Sequence, residues 1–442
     1  MIIKNIILIL SSLQLMFCLN ILAENTRNFK LGCSPIPRYL TIPNPKVTST
    51  ENYFINLFTN LQETGELATT QVEWWRPEQT ENKAGDIPQF IDDMYYVNKT
   101  LGYTVEPMVV INFFRNDGTP LLQTSKNQPN DWTNIEAQQK YEELALEICE
   151  KYNPQYLGLS IEANNYYLAN PVDFDRFVDV YKNIYKKIKL KNPKTKVFVT
   201  FQLEKLKGLG DNFFGNVEPH WDILDKFGDT LDLFVFTTYP ETEFKSPKDI
   251  PDDYYSEILN HTKRKIAISE CGWGSDLKRS ARANQANFIH KIFSLTDSLP
   301  KEFMLWAFMN DLNRKPKQKF DNIGLCKFDG TPKQSFDVWK KYAAWSFTPE
   351  DIAPPSAPPN LKASDISSSQ VTLTWDESED DVGVTGYTVY KNNTAIANIT
   401  TNTFIDRTPS NAPNISYTVS ALDSVGNESE LAPKIVVSSQ TN

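Results

Sequence analysis

Between Phe29 and Trp345 the chain repeats one pattern about eight times: a short run of branched or aromatic apolar residues, then a longer stretch with apolar residues at helical spacing. Few architectures admit that rhythm. Strands that alternate with helices form a parallel sheet covered on both faces, either open or closed on itself. The strand candidates are Phe29–Cys33, Thr70–Trp75, Val105–Asn112, Tyr156–Glu162, Lys196–Gln202, Leu231–Thr237, Lys265–Glu270 and Phe303–Phe308. An open sheet would alternate in the same way. The count of eight, and the lack of a GxGxxG or GxxxxGK turn after the first strand, point instead to an α/β fold of the (β/α)8 barrel type.

The helical stretches carry their own stop signals. Tyr141, Leu144, Ala145, Ile148 and Tyr152 make one apolar face opposite Glu142, Glu143 and Glu147, and Asn153-Pro154 ends the run. Phe174, Phe177, Tyr181, Ile184 and Ile188 repeat the pattern until Asn192-Pro193.

The chain has 442 residues, long for a single core and suited to a barrel plus a module of roughly 100 residues. Residues 1–23, with Lys4, the runs Ile6–Leu10 and Leu13–Phe17, and small Ala23, have the layout of a cleavable signal peptide, so a secreted, periplasmic or cell-surface location is expected. A lipid anchor at Cys18 is disfavoured by bulky Phe17 before it. No later run is long enough to span a bilayer, and no membrane insertion is expected. Processing leaves Cys33, Cys149, Cys271 and Cys326. Three pairings are open to them, and buried free thiols are the simpler reading.

A net charge of -10 gives no positive excess to hold a phosphate backbone, so nucleic acid is excluded as a partner class. Three scattered histidines, no HExxH and no CxxC spacing argue against a metal centre, and GxSxG is absent. Aromatics are 12% of the residues, more than a core needs, and flat rings suit stacking against sugars.

A second boundary lies at Pro349, Pro354, Pro355, Pro358 and Pro359. The barrel is expected over residues 24–346, a Pro-rich linker over 347–359 and an all-β module over 360–442. In that module Val371, Leu373 and Trp375, then Tyr387, Val389 and Tyr390, alternate as strands do. With Pro358-Pro359, Gly386-Tyr387-Thr388-Val389-Tyr390, Tyr417-Thr418-Val419 and Ala421-Leu422-Asp423, it resembles a fibronectin type III domain. The resemblance makes Trp375 the core tryptophan and Tyr417 the corner tyrosine of a β-sandwich. Such modules occur on secreted polysaccharide-degrading enzymes, usually as spacers.

Active sites of barrels lie at the C-terminal ends of the strands. Leu157, Leu159 and Ile161 alternate with Gly158, Ser160 and Glu162, which sets the bulky residues toward the helices and aims Glu162 into the mouth. Glu270 ends the seventh strand, where the alternation does not decide its direction. Two carboxylates at one mouth suit cleavage of a glycosidic bond: one protonates the leaving oxygen, and the other attacks the anomeric carbon or activates water. No cofactor is needed. Either glutamate alone could equally be a solvated loop residue, and Glu73 and Glu204, also near strand ends, are taken as solvated or hydrogen-bonding groups and not as catalysts.

With Glu162 in Ser160-Ile161-Glu162-Ala163-Asn164 and Glu270 in Ile268-Ser269-Glu270-Cys271-Gly272-Trp273, the barrel resembles the clan A glycoside hydrolases over nearly all of Phe29–Trp345. The resemblance implies a retaining enzyme, with Glu162 as acid/base and Glu270 as nucleophile. It also implies that Tyr239 hydrogen-bonds the nucleophile, that Trp306 floors the sugar subsite and that Arg76 orients Glu270. Trp75 and Trp273 are further candidates for sugar contact, or core residues. Asp311 is a weaker substrate-binding candidate. Most of the clan carries asparagine before the acid/base. Here that residue is Ile161, and Asn164 is expected to supply the contact to the sugar 2-hydroxyl. The expected activity is hydrolysis of an extracellular polysaccharide or oligosaccharide by a monomer. A non-catalytic carbohydrate-binding protein on the same scaffold is the alternative that Ile161 leaves open.

Overall fold

The structure is a computed structural model that describes residues 26–35, 57–74, 89–115, 117–122, 124–125, 127–209, 217–275, 279–312, 319–347, 353–367, 369–380, 383–407, 414–423 and 427–438. The expected signal peptide, Trp75 and Arg76 lie outside these residues. The chain divides into two compact units, one ending at Thr348 and the other beginning at Pro349.

The first unit is a (β/α)8 barrel. Its strands are β1 (Lys30–Cys33), β2 (Leu67–Glu73), β3 (Glu106–Asn112), β4 (Tyr156–Gly158), β5 (Lys196–Phe198 and Thr200–Gln202, either side of Val199), β6 (Phe234–Thr238), β7 (Ile266–Cys271) and β8 (Lys301–Trp306). All pair in parallel with their neighbours, β8 with β1 included. The two halves of β5 form the two ends of the pairing order, so the ring closes on a single strand. The gap at Val199 is bridged by Leu159 N–H to Phe198 O (2.8 Å) and Thr200 N–H to Ser160 O (3.0 Å).

Alternation along the strands makes two cores. Leu67, Met108, Val110, Tyr156, Phe198, Val235, Ala267, Phe303 and Leu305 fill the barrel, while Leu31, Val109, Leu157, Val197, Phe236, Ile268 and Met304 face the helices. The helices are α1 (Gln89–Leu101), α2 (Ile135–Tyr152), α3 (Ala163–Ala169), α4 (Pro171–Lys191), α5 (Leu203–Leu206), α6 (Ile223–Phe227), α7 (Arg279–Leu295) and α8 (Gln334–Ala343). α2 stops where Asn153 adopts a left-handed φ of 45° and donates its N–H to Cys149 O. α4 stops at Asn192, before Pro193. Between β6 and β7 the structure shows only 3-10 turns at Pro240–Thr242, Pro247–Asp249 and Ser256–Asn260. The bottom of the barrel is plugged by ions: Glu302 accepts from Lys196 and from the Tyr156 hydroxyl, and Lys30 pairs with Glu106.

The second unit is a β-sandwich of two antiparallel sheets. One sheet joins β9 (Lys362–Ser364), β10 (Val371–Thr374) and β13 (Thr403–Asp406). The other joins β11 (Val384–Lys391), β12 (Thr394–Ile399), β14 (Asn414–Asp423) and β15 (Ile435–Ser438). Trp375 packs in its core against Tyr387, and the Tyr417 hydroxyl donates to Asp406 (2.6 Å), which also pairs with Lys391. Phe347 pairs with Arg27 in the first unit, and in the second Ser356 N–H donates to Glu379 O (2.8 Å). All four described cysteines are buried free thiols. No helix among the described residues is long and apolar enough to cross a membrane.

Candidate active site

The direction of Glu270, which alternation leaves open, is set by a β-bulge. Ile268 pairs with Phe236, but the next pair is Glu270 with Thr237, so Ser269 and Glu270 together oppose one residue of β6. An extra residue reverses the alternation and re-aims the side chains beyond it. Glu270 consequently turns into the mouth, buried, where it accepts hydrogen bonds from the Gln71 amide and the Tyr239 hydroxyl. Gln71 lies on β2, three strands round the ring from β7, so the first bond spans the mouth.

Glu162 reaches the same space by a different device. β4 ends at Gly158, and Glu162 sits in the left-handed region (φ 46°, ψ 51°) at the start of α3. A non-glycine residue there carries strain of about 1–2 kcal/mol. Its N–H donates to the Thr200 hydroxyl (2.7 Å), and its carboxylate accepts from Thr237 (2.6 Å) and Asn165 (2.7 Å). Lys205 in turn donates to Asn165 (2.7 Å). Thr237 both pairs with Glu270 in the sheet and holds Glu162, so one residue of β6 ties the two carboxylates together.

Burial pushes Glu270 up from an ordinary 4.5 to about 7; the Tyr239 hydrogen bond opposes the rise, the charge of Glu162 adds to it, and the Gln71 hydrogen bond opposes it. Burial and the charges of Glu270 and Glu162 push the Tyr239 phenol well up, so it remains a protonated donor. The arrangement offers one buried carboxyl poised near neutrality and one half-buried carboxyl near it, both fixed by neutral donors.

The structure revises expectations at five residues. Trp306 is fully buried on the helix side of β8, because Phe303 and Leu305 take the inward positions. Its ring packs on Phe288 and Trp339, and its Nε1 donates to Ile323 O (2.7 Å). It is core and not the floor of a sugar site. Trp306→Ala should therefore cost about 3–5 kcal/mol of stability by denaturant titration. Trp273 is likewise core, packed on Phe288. Asn164 is buried and clamps β5: its amide donates to Gln202 O (3.0 Å) and its carbonyl accepts from Gln202 N–H (2.9 Å), so it has no face for a sugar hydroxyl. Ile161, assigned by alternation to the helix side, packs against the barrel interior, because the chain has already left the strand. Asp311 is held by Lys333 (2.5 Å) and by Gly324 N–H (3.1 Å).

Several residues at the site carry no clear mark in the sequence. Gln71 occupies an inward position of β2, and alternation could have found it. Thr237 and Asn165 needed the β6 register and the turn at Glu162. Phe308 and Phe320 form a half-buried apolar wall with Tyr239, Ala307 and Ile323, the Phe320 and Tyr239 rings lying 4.8 Å apart. Phe320 lies in a single 3-10 turn, Lys319–Asn322, too short for periodicity to mark it.

No known family profile matches the chain. Among curated proteins, Chitinase Chi52 of Paenibacillus xylanexedens is 37% identical over 87 residues, 20% of this chain and 17% of its own length. Exoglucanase B of Cellulomonas fimi is 34% identical over 93 residues, 21% of this chain and 8% of its own. Chitinase D of Niallia circulans is 38% identical over 81 residues, 18% and 16% respectively. The chain thus spans less than a fifth of the length of these relatives, in stretches about as long as the C-terminal sandwich. Solved structures match far more of it. A GH5_18 glycoside hydrolase of Streptomyces cattleya, in complex with Manβ1-4GlcNAc, superposes with a TM-score of 0.52 at 11% identity, covering 76% of this chain and 84% of that one. The chain has the fold of the glycosidases. The β-glycosidase BGL167 gives a TM-score of 0.50 at 12% identity over 68% of this chain and 88% of its own. The exo-β-1,4-mannosidase Op5Man5 of an Opitutaceae bacterium gives 0.50 at 12% over 66% and 55%. In this chain the ends of β4, β6 and β7 bring Glu162, Tyr239 and Glu270 together through the bonds of Thr237 and Tyr239.

Proposed function

We propose that the protein is a secreted glycoside hydrolase that cleaves an extracellular polysaccharide or oligosaccharide with retention of configuration. The observation that carries this reading is the shared strand end: Thr237 donates to Glu162 while Tyr239 donates to Glu270. In the first half-reaction Glu270 attacks the anomeric carbon as Glu162 protonates the leaving oxygen. In the second, Glu162 takes a proton from water, which displaces Glu270 from the sugar. The Tyr239 and Gln71 donors stabilise the ionised nucleophile, and Asn165 and Thr237 hold Glu162 where both proton transfers occur. Phe308 and Phe320 are the half-buried rings beside this chemistry and offer an apolar face to a sugar. The names of the relatives, two chitinases and an exoglucanase, support a polysaccharide as the substrate class.

Reducing-sugar release from a panel of β-linked glucans, mannans and galactans tests the reading. Wild type should release sugar from at least one member, and Glu270→Ala and Glu162→Gln should not. Binding without release by all three proteins would replace it with the carbohydrate-binding alternative, to which Ile161 in the place of asparagine lends its only support.

Tyr239→Phe should lower kcat by about tenfold to a hundredfold and move the acid limb of kcat/KM to higher pH, because the bond it removes favours the charged form of Glu270. A pH-rate profile on an activated aryl glycoside checks both.

A further inference from the structure

The last two residues of β6 and the residue that follows them each serve a different carboxylate. Thr237 donates to Glu162, Thr238 donates to Glu204 (2.7 Å) and Tyr239 donates through its hydroxyl to Glu270. Glu204 lies in α5 directly after β5, where its place near a strand end suggests a solvated or hydrogen-bonding side chain. It is fully buried. One of its oxygens accepts from the Thr238 hydroxyl, the Tyr239 backbone N–H (3.0 Å) and the Tyr254 hydroxyl (2.9 Å); the other accepts from the Gln202 amide (2.7 Å). Gln202 is itself gripped through its backbone by Asn164, whose neighbour Asn165 holds Glu162.

A buried carboxylate is an expensive way to fill space, since an apolar side chain of the same volume has no charge to desolvate. It is retained at low cost only where donors converge on it, and removing it would leave the buried Tyr239 N–H without the partner it has here. Burial pushes the Glu204 carboxyl up, and the bonds from Thr238, Tyr239 and Tyr254 hold against that rise. The donors come from β5, from β6 and from the turns between β6 and β7, so the carboxylate fixes the end of β6 from both sides.

We infer that Glu204 is a positioning residue that locks Thr238 and the backbone of Tyr239, so that the flanking hydroxyls of Thr237 and Tyr239 meet Glu162 and Glu270 together. The inference rests on the reading of those two glutamates as the catalytic pair, but the geometry it predicts can be measured without a substrate.

Carboxyl-carbon NMR titration of protein labelled at glutamate Cδ, with the Glu270 signal assigned by its loss in Glu270→Gln, reads the quality of the Tyr239 hydrogen bond. In Glu204→Gln the Glu270 titration should move upward by about half a unit or more, because loosening Tyr239 removes a donor that favours the carboxylate. Thr238→Val, which keeps the Glu204 charge and removes one anchor, should move it in the same direction by less. On activated glycosides Glu204→Gln should lower kcat about tenfold with little change in KM, and should add almost nothing when combined with Tyr239→Phe. If Glu204→Gln does not fold, the Thr238→Val titration decides. An unchanged Glu270 titration in the folded variants, or a full shift on top of Tyr239→Phe, overturns the inference. A wild-type protein that hydrolyses no glycoside removes the functional reading instead, and leaves the titration to judge Glu204.

Discussion

Glu270→Gln is expected to abolish hydrolysis and, above neutral pH, to make the protein more stable. The first effect should be large, a loss on the order of 10⁴-fold or more in kcat, because the variant lacks the proposed nucleophile. The second effect comes from the site's burial. A carboxyl that titrates near 4.5 when unfolded and near 7 when folded binds its proton more tightly in the native state. Its favourable contribution is therefore complete below about pH 4.5 and is lost as the pH rises through about 7. Above that, holding the ionised carboxylate in the folded mouth costs about 3 kcal/mol, which the neutral amide avoids. Urea titrations at pH 4 and pH 8 check this: the variant should match wild type at the lower pH and exceed it by about 2–3 kcal/mol at the higher. The same titration predicts an acid limb in kcat/KM near pH 7, since the free enzyme must carry Glu270 ionised to attack.

Glu162→Gln should produce a loss that depends on the leaving group. With an alkyl or sugar leaving group, which must be protonated as it departs, kcat/KM should fall by about 10²–10⁴-fold. With a dinitrophenolate, which leaves without a proton, the first step should remain close to the wild-type rate, and the second step, which needs a base for water, should limit turnover. A burst of dinitrophenol followed by a slow steady state is the expected trace. Added azide, a nucleophile that needs no base, should restore the steady rate and give a glycosyl azide. Equal losses on every leaving group would mean that Glu162 orients the site and transfers no proton.

Much of the fold is legible because its signals are local. The eight apolar runs and the Asn-Pro stops after Tyr152 and Lys191 are short-range patterns, and the helices end within a residue or two of them. The sandwich is readable for the same reason, since Trp375, Tyr387 and Tyr417 stand at regular strand positions. The site is legible only as far as strand ends can carry it. Glu162, Tyr239 and Glu270 can be placed at one mouth by position, but their directions are set by a bulge at Ser269 and a left-handed turn at Glu162, and neither leaves a composition signal. Trp306 shows the opposite failure. Its place at the end of β8 is right, yet one step of alternation puts it among Phe288 and Trp339, and Phe308 and Phe320 are the rings that pack with Tyr239. Asn164 and Glu204 escape a linear reading because both face inward to backbone and hydroxyl partners from other strands.

The measurement that bears most directly on the paired carboxylates is the mass of the protein after exposure to an activated 2-deoxy-2-fluoro glycoside of the sugar that the hydrolysis panel identifies. The fluorine slows both steps, and the activated leaving group lets the first outrun the second, so an intermediate accumulates. Wild type should gain one fluorosugar, carried by the peptide that contains Glu270, and Glu270→Gln should gain none. Turnover without any labelled peptide, or a label on a residue other than Glu270, would contradict the account.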